Sequence, residues 1–311
     1  MFKTRLNPTK PSAGHRAVLE RVGAACRELR PIEDACCAEG RRNERAPEIL
    51  ARHGALAIGI DAEFGGAGTD PLLVVMAAER IGREGSHLVN VFAELVSVAA
   101  VVRRSGEADQ KARLLPAVAR GEVVLDRDCG ISFDHSAAVA ELREMLGDPE
   151  RISEFEFTLR LNARLALSAG SIGVLADCLE TSAEFAAKRI KGEDATNTPK
   201  AVKLHFAQTA SDLEATRALV YSAAALKAEF DRHPESDHLR LEAGTLVDEG
   251  NFFSAGAVNR MFVRMTRVEL GGEPLRMCLP PRHQITPRDA LLFDESVDPI
   301  AEKIARFYLF Q

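Results

Sequence analysis

Few stretches of this sequence carry side chains in a pattern that could do chemistry, and each has a plainer reading beside it. The turn Phe64-Gly65-Gly66-Ala67-Gly68 is rich enough in glycine to cradle a phosphate. It has neither the nucleotide-binding glycine spacing nor the lysine and hydroxyl of a P-loop, so Gly65, Gly66 and Gly68 are expected to serve backbone shape. Asp126, Asp128, Cys129, Asp134 and His135 offer metal ligands close together. No established ligand spacing is matched and such clusters on loops are usually solvated turns, so no metal is expected. Glu94 is a carboxylate inside an apolar helical pattern, either turned into a pocket or reaching for water. The six cysteines, Cys26, Cys36, Cys37, Cys129, Cys178 and Cys278, have neither zinc spacing nor the density of a secreted scaffold and read as reduced thiols.

These residues sit in a chain of 311 residues, 46% hydrophobic and 28% charged, which is ordinary globular composition with enough length for a large core. A net charge of −6 opposes binding to nucleic acid or an anionic membrane surface, so neither is expected as a partner. The longest apolar stretch, 88–102, is interrupted by Asn90 and Glu94 and reads as a buried helix rather than a membrane span. Lys3, Arg5 and Lys10 are followed by no apolar segment, so no signal peptide is expected and the cytoplasm is the expected location.

The elements that must position any site are helical. Val18, Val22, Ala25, Cys26 and Leu29 predict a helix from His15 that ends at Pro31, with a second piece through Cys37 closed by Gly40. Short and long helices follow over 47–53 and 88–104, and another over 136–146. From Thr158 a long helix carries Leu165, Ile172, Leu175 and Leu179 beside a stripe of small residues, Ala166, Ala169, Gly170, Gly173 and Ala176. Gly in a helix costs roughly 1 kcal/mol relative to Ala, so this stripe predicts another helix packed very close. Two further long helices are expected from Lys200 to Phe230 and from Leu239 to Val268.

The stretch NARLALSAGSIGVLADCLETSAEFAAKRIKGEDATNTPKAVKLHFA resembles the carboxy-terminal helical domain of the acyl-CoA dehydrogenase family, with Arg164, Gly170, Gly173, Arg189 and Lys200 in register. SGEADQKARLLPAVARGE resembles the family's G-x-x-x-Q-K-x-x-x-L-P motif, and the FGG-x-G-x-D turn resembles the loop that opens its substrate-side helices. The resemblance implies an all-α chain: an amino-terminal helical domain over 1–122, a short connector over 123–157 in place of the family's middle β-barrel, and a carboxy-terminal four-helix bundle over 158–311. It implies an acyl thioester substrate, with Glu94 and Arg164 at the acyl pocket. FAD would lie at a subunit interface, against Arg189, Lys200 (a Gln in relatives) and the Gly271-Gly272 pair. Relatives usually add a third glycine and an aromatic where this chain has Glu273, Pro274 and Leu275.

Counting back from Ile304-Ala305-Arg306 puts Asp294 at the place of the family's catalytic Glu, with Glu295 beside it, so either is the expected base for the proton next to the thioester carbonyl. The plainer reading of both is a loop before a helix capped by Ser296 or Asp298. Two functions follow. One is a flavin-dependent oxidoreductase, as a homodimer or as one subunit of a heteromer with another such chain. The other is a flavin-free helical relative that binds an acyl thioester or another protein, or performs non-redox proton chemistry with Asp294 or Glu295. Self-association is expected through a helix face carrying Phe252, Phe253, Met261 and Phe262.

Overall fold

The computed structural model describes residues 10–123, 144, 152–190, 199–283 and 304. Among them are eight helices and one two-stranded ladder, an all-α fold. The amino-terminal part is α1 (Ala13–Ala38), α2 (Ala46–Arg52), α3 (Pro71–Gly82), α4 (Ser86–Ser105) and α5 (Ala108–Ala119). The carboxy-terminal part is α6 (Ile152–Arg189), α7 (Lys200–Arg232) and α8 (Asp237–Arg267), followed by β1 (Glu269–Leu270) and β2 (Glu273–Pro274). α6 begins inside the stretch expected as a connector. Only residues 124–151 join Val123 to it, which leaves no room for a middle barrel.

Local sequence explains most boundaries. Ser12 caps α1 by accepting from the His15 amide, and Asp70 caps α3 ahead of Pro71 by accepting from the Leu72 amide. Glu107 and Gln110 form a reciprocal capping box at the start of α5. The expected break at Pro31 does not occur: α1 runs through it to Ala38. Pro31 forfeits one backbone hydrogen bond, but Leu29, Glu33 and Cys36 continue the buried stripe across it, and that packing holds the helix together.

α6 is the axis of the molecule. It has 38 residues, about 57 Å at the helical rise per residue. α3, α4, α7 and α8 all pack against it, and α7 also meets α3, where Arg217 Nη2 donates to Glu79 Oε1 at 2.8 Å. The small-residue stripe makes the contact of α6 with α3 possible. A methyl group added at Gly173 would fall 2.1 Å from the Glu79 carbonyl oxygen, and one at Gly82 would fall 2.1 Å from that of Gly170. The backbones of α3 and α6 therefore touch, and a single core runs through both halves of the chain. α4 is long and apolar enough to cross a membrane by length and composition, yet 72% of its apolar window is buried within the protein.

α7 runs antiparallel to its neighbours. Phe157 near the start of α6 meets Phe230 near the end of α7 edge-on at 5.9 Å, and Asp212 of α7 meets Arg260 and Arg264 of α8, both at 2.9 Å. The fourth helix of the expected bundle and the helix expected over 136–146 lie outside the described residues. After the ladder the chain returns to α1 and α6. Arg282 is held there by Asp34 at 2.7 Å and Asp177 at 2.9 Å, and His283 by Asp177 at 3.0 Å.

Candidate functional site

A cavity of about 560 Å³ opens where the end of α4, the start of α6 and the end of α7 come together. Its walls are Ala100, Arg103 and Arg104 from α4, Thr158, Leu161 and Asn162 from α6, Lys227, Phe230 and Asp231 from α7, with Asp61 and Pro234 at loops. A space of about 10 Å³ lies deeper, against α3, and shares Ala100, Arg103, Asn162 and Lys227 with it. The volume suits a small organic ligand.

The charges in this cavity are unequally satisfied. Arg104 is committed: it pairs with Glu154 and lies over the Phe230 ring at 5.2 Å. Lys227, only 3% exposed, gives a hydrogen bond to Asp231 Oδ2 at 2.6 Å. Burial drives its ammonium below the usual lysine range, Asp231 opposes that shift, and the positive charges of Arg103 and Arg104 add to it. Arg103 is half-buried and has no hydrogen-bond or ion-pair partner among the described residues. A half-buried guanidinium with no partner among the described residues favours an anion from outside.

Arg189 and the Gly271-Gly272 pair, expected together from sequence, do meet. Both glycines have positive φ, +68° and +85°, and form the turn between β1 and β2. The Arg189 side chain passes beneath Gly271, stacks on the Phe185 ring at 3.6 Å and donates from Nη2 to Glu273 Oε2 at 2.6 Å. Lys200 is exposed at the first turn of α7 and makes no ion pair among the described residues.

The two residues expected at an acyl pocket do not line the cavity. Arg164 is buried and donates to Asp248 Oδ1 at 2.5 Å, tying α6 to α8. Burial lowers its affinity for its proton, and Asp248 opposes that effect. Glu94 is half-buried on α4. The seam between α4 and α6 is closed by contact: a methyl group at Gly170 would fall 2.4 Å from Val89 Cγ1. Asp294 and Glu295, and the acidic cluster with Cys129 and His135, lie outside the described residues.

Family models for the acyl-CoA dehydrogenase amino-terminal domain and carboxy-terminal domain match residues 12–122 and 159–243. The chain belongs to the acyl-CoA dehydrogenase family. Solved structures agree on the fold. Butyryl-CoA dehydrogenase from Megasphaera elsdenii superposes with a TM-score of 0.76 at 13% identity, over 97% of this chain and 99% of that one. Glutaryl-CoA dehydrogenase from Mycobacterium smegmatis gives 0.70 at 14%, over 96% and 95%. TdsC from Paenibacillus sp. A11-2, in its complex with FMN and indole, gives 0.72 at 16%, over 95% and 97%. No curated protein matches the chain.

Where the resemblance places a flavin pyrophosphate, the Glu273 carboxylate already pairs with the guanidinium of Arg189 that an anion would use. The connector over 124–151 is too short to supply the family's barrel, the domain that would pack against the flavin ring.

Sequence reasoning missed Arg103, Lys227 and Asp231. A signal for the lysine was present: it follows Val220 and Ala224 at helical spacing, on the buried face, with Asp231 one turn further on. Arg103 read only as the charged end of an apolar helix.

Proposed function

We propose that this acyl-CoA dehydrogenase relative works without a flavin of its own and binds a short acyl ligand bearing a carboxylate in the cavity between α4, α6 and α7. The observation that carries this reading is Arg103, a guanidinium without a partner among the described residues in the wall of a 560 Å³ cavity whose other arginine is already paired. The carboxylate rests on Arg103, while Ala100, Leu161 and Phe230 supply the apolar surface an acyl chain needs. Asn162 lies beside them with its amide nitrogen committed to the Thr158 carbonyl oxygen at 2.7 Å, which fixes the side chain.

The test has two parts. The visible spectrum of the purified protein should show no flavin absorbance. Calorimetric titration with short dicarboxylic and oxo-carboxylic acids, free and as CoA thioesters, should show binding that Arg103→Ala weakens by at least about tenfold, the loss of one charge-assisted contact. Binding unchanged in Arg103→Ala would refute the reading.

A second reading rests on the meeting of Arg189 with the Gly271-Gly272 turn: the chain is one subunit of a heteromeric flavin-dependent oxidoreductase acting on an acyl thioester. Co-purification with a second chain of the same family carrying the yellow colour would favour it. Under either reading self-association is proposed through α8. Met261 and Phe262 are buried, but Phe252 and Val263, three turns apart on one stripe, are 43% and 36% exposed. Light scattering at micromolar concentration decides this, a single-chain mass counting against it.

A further inference from the structure

Lys227 is a buried amine at the wall of the cavity. It stands on α7 with 3% of its surface exposed, at the junction of the cavity and the narrow space behind it. Every element around it contributes a facing group: Arg103 and Arg104 from α4, Thr158 and Asn162 from α6, Asp61 from the loop before α3, and Asp231 one turn further along α7. Asp231 holds the amine at 2.6 Å, and Arg103 beside it has no partner among the described residues. An amine at the wall of a cavity, a carboxylate in contact with it and a guanidinium nearby are the three groups that imine formation with an oxo acid uses.

We propose that Lys227 forms an imine with the ketone carbonyl of a small oxo-carboxylate whose carboxylate is held by Arg103. This rests on the reading of the cavity as a carboxylate-bearing acyl site. Asp231 takes a proton from the ammonium and frees the Nζ lone pair. Nζ then attacks the carbonyl carbon, the carbon–oxygen π pair moves to oxygen, and a proton passes from nitrogen to that oxygen to give the neutral carbinolamine. Asp231 returns its proton to the hydroxyl, the carbon–oxygen bond breaks, and water leaves. The product is a protonated imine next to the Asp231 carboxylate, and the net change is loss of one water with no oxidant or reductant. Burial and the two arginines favour the neutral amine that the attack requires.

The experiment is reductive trapping on the full chain. Protein is incubated with acetoacetate or 2-oxobutyrate and sodium cyanoborohydride, then digested and mapped by mass spectrometry. The expected result is one dominant adduct on Lys227, absent in Lys227→Met and in Lys227→Arg, with circular dichroism confirming that at least one variant keeps its helices. Acetone, which has no carboxylate, separates the two levels of the reading. If both hold, Arg103→Ala reduces trapping of the oxo acids about tenfold more than trapping of acetone, which registers only the loss of a positive charge beside the amine. If the carboxylate site is wrong and the imine is right, acetone and the oxo acids label Lys227 alike and Arg103→Ala changes both to the same extent. Labelling spread over surface lysines and unchanged in the Lys227 variants overturns the proposal. So does absence of any adduct under conditions where calorimetry shows the oxo acid bound.

Discussion

Arg189 reaches past the Gly271-Gly272 turn to hold Glu273, Nη2 to Oε2 at 2.6 Å, so one of the two cations expected to face a pyrophosphate is neutralised by the chain itself. Both side chains are well exposed, at 37% and 55%, so the pair adds at most about 1 kcal/mol to stability. Its effect is on binding. Glu273→Gln should leave the melting temperature almost unchanged and tighten binding of inorganic pyrophosphate by about fivefold at low salt, measured by calorimetry. Equal affinity in both proteins would show that Glu273 does not occupy the site.

The contact between α3 and α6 should tolerate no side chain at Gly173. The obstruction is the Glu79 carbonyl oxygen, 2.1 Å from where a methyl carbon would sit, and backbone cannot rotate away as a side chain can. Gly173→Ala should therefore cost about 3 kcal/mol despite the better helix propensity of Ala. Gly256→Ala on α8, where the nearest atom is the end of the flexible Arg260 side chain at 3.0 Å, should be close to neutral. Urea unfolding of the two variants makes the comparison, and equal losses would mean that the helices can separate without penalty.

What could be read in advance followed from periodic packing. The stripe at Gly170 and Gly173 announced a close helix neighbour because nothing else compensates glycine inside a helix; α3 fills that place at Gly173 and α4, through Val89, at Gly170. The apolar stretch around Val98 announced a buried helix for the same kind of reason. Charged residues were harder. Arg164 and Arg103 are both arginines on apolar helices, and only the fold shows that Asp248 meets one and nothing among the described residues meets the other. Asp248 lies on another long helix, and no local pattern encodes which turns of α6 and α8 face each other. Pro31 misled for a different reason: a local rule about hydrogen bonding was overridden by burial of Leu29, Glu33 and Cys36.

Arg164 and Asp248 form a buried pair, and its two halves should behave unequally when removed. Arg164→Met removes the guanidinium that meets the Asp248 carboxylate, buried to 2% exposure, and should cost about 4 kcal/mol. The double variant Arg164→Met with Asp248→Leu removes both charges and should recover most of that loss, because apolar side chains of similar size replace a desolvated pair at little cost. A double variant no more stable than Arg164→Met would show that the further contacts of these residues, not their mutual charge, hold α6 to α8.

Stability should fall with pH in two separate windows. His205 is 1% exposed with no partner on either ring nitrogen, and burial, helped by the charge of Arg264, brings its pKa from 6.5 down to about 4. His87 is brought down to about 4 as well, by burial first and by Arg42, against a backbone hydrogen bond at Asn43. Between those values the unfolded chain carries protons that the folded chain refuses, so each histidine removes up to about 3 kcal/mol as pH falls from about 6.5 to 4. Asp177 belongs to the lower window. Burial alone would raise its pKa, but the hydrogen bonds and charges of His283 and Arg282 overcome that and hold it at about 2 instead of 3.8. Its contribution, about 2 kcal/mol, is complete above the unfolded value and disappears as pH falls through about 2. Urea titrations at pH 7, 5.5 and 4 should show the upper loss, and His205→Leu should lose about half as much as the parent over that range. The same variant should also be about 1 kcal/mol more stable at pH 7, where the parent buries two unsatisfied ring nitrogens. An unchanged slope in His205→Leu would place the acid loss elsewhere in the molecule.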